Sequence, residues 1–130
     1  MNALMQLRFD DAQLAGFLKT ADAHELDAFD FGVIGFDAAT TVRIYNAHES
    51  RLAGLAVGRV VGQPLFAVVA PCMNNFMVAQ RFEDAAAAGK PLDVTIDYVL
   101  TLRMRPVKVK LRLLSTPGTA LRYVLVNRSV

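Results

Sequence analysis

One segment near the C-terminus constrains the fold more than any other, because it alternates apolar and polar residues without a break. Val107-Lys108-Val109-Lys110-Leu111-Arg112-Leu113 has a strict period of two. This period is that of a β-strand with one face buried and the other in water. Such two-sided strands are typical of antiparallel sheets. We therefore expect the chain to be built around an antiparallel sheet.

Other segments predict an α+β fold around this strand. A hairpin of two strands comes first, then helices, then three more strands, with turn residues such as Asp37 and Pro117-Gly118 between them. The sequence therefore predicts a five-stranded antiparallel sheet with helices packed on one face. The predicted strands are Phe29–Phe36, Val42–Tyr45, Leu92–Leu102, Val107–Leu113 and Ala120–Val126.

The helices are predicted from their caps and from apolar spacing. Asn46 caps a helical turn over Ala47–Ala53, which Gly54 ends. A longer helix begins at Asn74 or Asn75, carries Phe76, Ala79, Phe82 and Ala86 on one face, and ends at Gly89. Val57–Pro71 is interpreted as turns and loops. A short helix around Leu14 and Leu18 is too short to be stable alone, so its apolar stripe must pack on another part of the fold.

Composition limits the class of protein. The chain has 130 residues, 54% of them hydrophobic, which predicts one domain over residues 1–130 with a substantial core. One cysteine excludes an internal disulfide, and neither histidine has a second metal ligand at useful spacing, so no metal site is expected. No apolar stretch reaches the length of a membrane span and no secretory signal is visible, so we expect a cytoplasmic protein without a membrane partner.

The charge is close to balance at +2 but unevenly distributed. Residues 101–130 hold seven basic residues and no acidic one. A basic end can bind nucleic acid, but lysines that alternate with valines are more simply the solvated face of a sheet. The strand also lacks exposed aromatic residues for base stacking, so no nucleic-acid partner is expected.

Two short motifs are candidates for chemistry. Tyr45 and Glu49 lie four residues apart across a strand-to-helix junction, so both side chains can point into the fold. The alternative is a surface glutamate beside a half-buried tyrosine. Cys72, the only thiol, follows Val69-Ala70-Pro71 in an apolar loop. Its alternative is an ordinary structural thiol. No nucleophile with an activating base is visible, so an enzyme is not expected.

Together these motifs resemble a known family. Phe31-Gly32-Val33-Ile34, Tyr45-Asn46-Ala47-His48-Glu49, Val69-Ala70-Pro71-Cys72, the segment Met104–Lys110 and the closing Tyr123-Val124-Leu125-Val126 are similar to the photoactive yellow protein family of PAS domains. The likeness runs from about Leu26 to the C-terminus. The flavin-binding PAS class surrounds its cysteine with an Asn-Cys-Arg-Phe run, which is absent here.

The resemblance implies a blue-light photoreceptor. It implies p-coumaric acid (4-hydroxycinnamic acid) as a thioester on Cys72, held as a phenolate by Tyr45 and by protonated Glu49. It further implies trans-to-cis photoisomerisation and proton transfer from Glu49. An N-terminal helical cap, roughly residues 1–28, is then expected to unfold in part as the signal to a downstream protein that the sequence does not identify. The resemblance places these residues around the chromophore: Ile34, Ala53, Leu55, Val69, Ala70, Leu100 and Met104, the last as the methionine that speeds recovery.

Departures from the family pattern affect the chromophore surroundings. Ala53 stands where the family often has a threonine, Leu55 where it often has an arginine, and Leu100 and Leu102 at two aromatic positions. With two polar supports lost, we expect a higher phenolate pKa than in better-known members. The alternative function is a PAS module for ligand binding or dimerisation without a light-sensing chromophore.

Overall fold

A five-stranded antiparallel sheet in the order β2-β1-β5-β4-β3 forms the centre of the molecule. The computed structural model describes residues 7–101 and 105–128. The α+β fold predicted from the sequence is confirmed. The strands are β1 (Gly32–Phe36), β2 (Val42–Tyr45), β3 (Leu92–Leu100), β4 (Val107–Ser115) and β5 (Arg122–Asn127).

The first strand begins later than predicted, at Gly32 instead of Phe29. Phe29 and Phe31 stack on each other with ring centroids 4.7 Å apart. Both rings are buried in the hydrophobic cluster of the N-terminal segment, residues 7–31. They pack there and do not pair with a neighbouring strand, so the ladder of β1 begins at Gly32.

Two short helices precede the sheet, and the other helices lie between β2 and β3. They are α1 (Leu14–Leu18), α2 (Ala23–Leu26), α3 (Ala47–Ala53), α4 (Val57–Val60) and α5 (Ala79–Ala88), with a π-helical turn at Leu65–Val69 and a 3₁₀ turn at Pro71–Met73. The prediction of plain turns and loops over Val57–Pro71 is wrong. Val60 and Leu65 are buried there, and helical turns supply the hydrogen bonds that a buried backbone requires. Within the described ranges, no helix is long and apolar enough to cross a membrane.

The long helix begins later than predicted, at Ala79. The Asn75 side chain accepts hydrogen bonds from the backbone N–H groups of Met77 and Val78, so it caps a turn that precedes the helix. Phe82 is fully buried, as the apolar spacing predicts, but Phe76 is 78% exposed and does not belong to the buried stripe.

The sheet carries a hydrophobic cluster on each face. One cluster joins the sheet to α4, the π-helical turn and α5. The other joins Val33, Leu114, Tyr123 and Leu125 to the N-terminal segment. Helices therefore cover one face, as predicted, and the N-terminal segment covers the opposite one. That residues 1–28 form a separable cap remains a prediction.

Arg112 shows what the N-terminal segment does to the alternating strand. The period-two pattern predicts that this side chain faces water, yet Arg112 is only 4% exposed. Its guanidinium pairs with both carboxylate oxygens of Asp93 at 2.9 Å. It also donates to the backbone carbonyls of Phe9 and Asp11. The expectation of a fully wet face is therefore wrong at Arg112, because the N-terminal segment covers it and supplies the acceptors.

Replacing Arg112 should loosen the N-terminal segment. Arg112→Met leaves two carbonyls and a carboxylate without their donor, so the free energy of unfolding should fall by about 2–4 kcal/mol. Amide hydrogen exchange in residues 9–18 should accelerate more than in β1. Lys110→Met is the matched control, because Lys110 forms an exposed pair with Asp97 on the same strand and such pairs contribute about 0–1 kcal/mol. Equal losses in the two variants would contradict this account.

Candidate functional site

Tyr45 and Glu49 are both buried where β2 passes into α3. Tyr45 is the last residue of β2 and Glu49 lies in the first turn of α3. Their exposed fractions are 5% and 1%. The alternative of a surface glutamate therefore does not hold. Two groups able to exchange protons lie inside the fold at one junction.

Asn46 fixes this junction from both sides. Its side-chain oxygen accepts from the backbone N–H of Glu49 at 3.1 Å, which is the predicted helix cap. The same oxygen accepts from Val33 of β1. Its amide nitrogen donates to the carbonyls of Leu26 and Phe31 at 3.0 Å each. One buried side chain thus joins the start of α3 to the sheet and to the N-terminal segment.

Glu49 has a close ion-pair partner, Arg128, which follows β5. Nη1 of Arg128 lies 2.6 Å from Oε1 of Glu49, and Nη2 lies 2.9 Å from Oε2. Burial raises the pKa of Glu49, and the two hydrogen bonds and the charge of Arg128 oppose this rise. Gly32 makes room for the carboxylate, since a Cβ there would lie 2.1 Å from Oε1.

The electrostatics of the tyrosine follow from the same surroundings. Burial raises the pKa of Tyr45 strongly, the Glu49 charge raises it further, and Arg128 acts in the opposite direction. The tyrosine therefore stays a neutral hydroxyl, able to donate a hydrogen bond to an anion.

Cys72 lies in the 3₁₀ turn Pro71–Met73 and is free. It lines an open pocket of about 540 Å³ with Ala53, Leu55 and Val69. A pocket of this volume lies within the range of small-molecule sites. The partly exposed thiol is thus accessible to a ligand that enters this pocket.

The backbone at Cys72 is held by two side chains. The Tyr98 hydroxyl donates to the Cys72 carbonyl. Asn75 donates to the same carbonyl at 3.1 Å and to the Tyr98 oxygen at 2.6 Å. This three-way contact ties the thiol-bearing turn to β3.

The remaining predicted pocket residues lie deeper in the fold. Ile34, Ala70 and Leu100 are buried in the same hydrophobic cluster as Tyr45, and Leu55 and Cys72 pack against that cluster. The pocket lining does not include Tyr45 or Glu49. Met104 and Leu102 lie outside the described residues. Among the residues that are described, no group of three or more His, Cys, Asp or Glu is placed to hold a metal.

Sequence reasoning missed four residues of this site: Gly32, Asn75, Tyr98 and Arg128. The sequence offers one signal for Gly32: it lies inside an apolar strand, where a glycine often marks the close approach of another group. Arg128 was counted only as one of the basic C-terminal residues. Of those basic residues that the structure describes, four are held in ion pairs: Lys110, Arg112, Arg122 and Arg128.

Comparisons with known proteins identify the family of this chain. No protein-family model matches the chain. A photoactive yellow protein from Rhodothalassium salexigens is 34% identical over 89 residues, which is 68% of this chain and 70% of the relative. A photoactive yellow protein from Halochromatium salexigens is 31% identical over 107 residues, which is 82% of this chain and 85% of the relative.

Solved structures define the class of fold. The PAS domain of the RpfR quorum-sensing receptor from Cronobacter turicensis, in complex with BDSF, is 13% identical with a TM-score of 0.60, covering 78% of this chain and 96% of that one. The fold is thus that of a PAS domain. The photoactive yellow protein domain of the sensor histidine kinase Ppr from Rhodospirillum centenum is 33% identical with a TM-score of 0.78, covering 87% of this chain and 98% of that one. The chain belongs to the photoactive yellow protein family and is a photoreceptor PAS domain.

Adding a methyl group at Gly32 should disturb the site. Gly32→Ala puts a Cβ into the space of the Glu49 carboxylate, so we expect a loss of about 1–3 kcal/mol in the free energy of unfolding. Gly16→Ala in α1 is the control, because nothing lies within 4 Å of its Cβ and alanine favours a helix by about 0.5–1 kcal/mol. Urea titration measures both. A Gly32→Ala protein as stable as the parent would contradict the close approach.

Proposed function

We propose that this chain is a blue-light receptor that carries p-coumaric acid as a thioester on Cys72. The observation that carries the proposal is the open pocket that the free thiol shares with Ala53, Leu55 and Val69, in a chain of a photoreceptor family. The residues present fit such a group. The pocket is largely apolar, and the hydrophobic cluster beside it contains Tyr45, with Glu49 one helical turn further on.

When bound, the chromophore supplies a phenol that ionises and a double bond that light converts from trans to cis. Tyr45 donates one hydrogen bond to the phenol oxygen, because a buried anion is costly without donors. Glu49 donates a second one in its protonated form, and hydrogen bonds to an ionised oxygen are short and strong. Glu49 would also be the group that holds a proton beside the phenol oxygen and can supply it after isomerisation.

The signal follows from the carboxylate that this transfer creates. A charge left in an apolar site destabilises the fold by several kcal/mol unless it is paired. Release of the cap, residues 1–28, exposes the surface that a downstream signalling protein reads. Asn46 supports this route, since its side chain joins the helix that bears Glu49 to the carbonyls of Leu26 and Phe31.

Loading the purified protein with an activated p-coumarate thioester tests the function. We expect a blue-absorbing band that bleaches under blue light and recovers in the dark. Cys72→Ala should form no such band, because the attachment site is lost. Absorption spectroscopy, with mass spectrometry for the covalent adduct, provides the measurement.

A matched control separates attachment from folding. Cys72→Ser keeps the size of the side chain, so it should fold as the parent does and remain colourless. If the parent does not bind the chromophore, or binds it without a visible band at every pH at which it stays folded, the photoreceptor mechanism fails. The remaining function is then that of a PAS module that binds another ligand or a partner.

The phenolate should titrate at higher pH than in relatives with fuller polar support. The side chains of Ala53 and Leu55, which line the pocket, provide no hydrogen-bond donor, so we expect the phenolate to be less stabilised and its pKa to be higher. The visible band is present above this pKa and is lost as the pH falls through it. A pH titration of the visible band measures this pKa. A single band that persists down to strongly acidic pH would overturn this expectation.

A further inference from the structure

Arg128 occupies both oxygens of the one buried carboxylate at the site. The Glu49 side chain is 1% exposed and that of Arg128 is 13% exposed. The two parallel contacts, 2.6 and 2.9 Å long, are those of a guanidinium with an ionised carboxylate. A protonated acid would have to turn one oxygen away from the arginine, because that oxygen then carries its own hydrogen.

The sheet topology explains why Arg128 reaches Glu49 from a position 79 residues away. β5 runs antiparallel to β1, and Val126 pairs with Gly32. The chain after β5 therefore lies at the start of β1, where the missing side chain of Gly32 leaves room for the carboxylate. The pair is thus a product of the fold and not of local sequence.

We propose that Arg128 holds Glu49 as a carboxylate in the chromophore-free protein and thereby sets how one proton is divided between Glu49 and a bound phenol. The second part rests on the proposed function. On loading, the phenol O–H bond breaks and Glu49 gains an O–H bond, so the proton moves internally while Arg128 remains a cation. Light reverses this transfer. By stabilising the carboxylate, Arg128 favours the neutral phenol, which absorbs in the ultraviolet.

Other charged groups around the site act less directly. Tyr45 faces Glu49 from β2 and stays neutral, since burial raises its pKa. His48 neighbours Glu49 on α3, and burial together with the charges of Arg51 and Arg128 lowers its pKa. Asp30, before β1, acts on His48 in the opposite direction. Of these groups, Arg128 alone has hydrogen bonds to the Glu49 carboxylate among the contacts described above.

The chromophore-free protein provides the first test. Carbon-13 NMR of the glutamate carboxyl groups should show Glu49 ionised at pH 7 in the parent. In Arg128→Gln the midpoint should rise by about 1–3 pH units, because burial is then no longer opposed by a cation. Arg128→Lys should give a smaller rise, since an ammonium keeps the charge but not the forked contact. Arg51→Gln is the control for charge on the exposed side of α3 and should leave Glu49 unchanged.

The outcomes separate this proposal from the proposed function. A Glu49 that is protonated at pH 7 in the parent overturns the proposal, even if Arg128→Gln does not fold. An unchanged midpoint in Arg128→Gln overturns it as well. After loading with p-coumarate, Arg128→Gln should show a larger ratio of visible to ultraviolet absorption than the parent at pH 7. If no variant becomes coloured, the proton division fails with the proposed function, while the NMR titration still decides whether Arg128 holds Glu49.

Discussion

A carboxylate buried in the interior is the constraint on which the arrangement of the site depends. Glu49 would destabilise the fold by several kcal/mol if its charge were unpaired. Three features accommodate it: Gly32 leaves room for it, Asn46 begins the helix that directs it inward, and Arg128 neutralises it. These residues come from β1, from the start of α3 and from the end of β5. The site is therefore also a joint between three distant parts of the chain.

The N-terminal segment is held by polar contacts along its length, and those at its C-terminal end adjoin the site. Arg112 holds the carbonyl of Phe9 on the far part of the sheet. Asn46 holds the carbonyls of Leu26 and Phe31, directly beside the helix that carries Glu49. Carbonyls released into water regain hydrogen bonds there, so each such contact contributes about 0.5–1.5 kcal/mol net to the free energy of unfolding. A shift of α3 thus acts first on the Asn46 end of the segment.

Local sequence patterns predicted the sheet and the junction between β2 and α3. They did not predict the long-range contacts of Arg112 and Arg128. The alternation of Val107–Leu113 predicted β4, and the Asn46 cap predicted the start of α3. The same alternation led to a wrong prediction at Arg112. An alternating pattern indicates a strand, but it does not show which other segment covers the second face of the sheet. The partner of Glu49 lies 79 residues away, and periodicity contains no information on which distant charges meet. Only the topology of β1 and β5 supplies that contact.

In the proposed mechanism, the ion pair with Arg128 lowers the free energy of the state in which Glu49 has lost its proton. If Glu49 loses its proton beside Arg128, the new carboxylate is a paired charge. Its burial therefore destabilises the fold less and contributes less to unfolding. The negative charge then lies next to Arg128, which stabilises the product of the transfer. The proton should therefore return to Glu49 more slowly than it would without Arg128. Release of the N-terminal segment would then depend on a movement of α3. A shift of α3 towards β5 would stretch the hydrogen bonds that Asn46 donates to the carbonyls of Leu26 and Phe31.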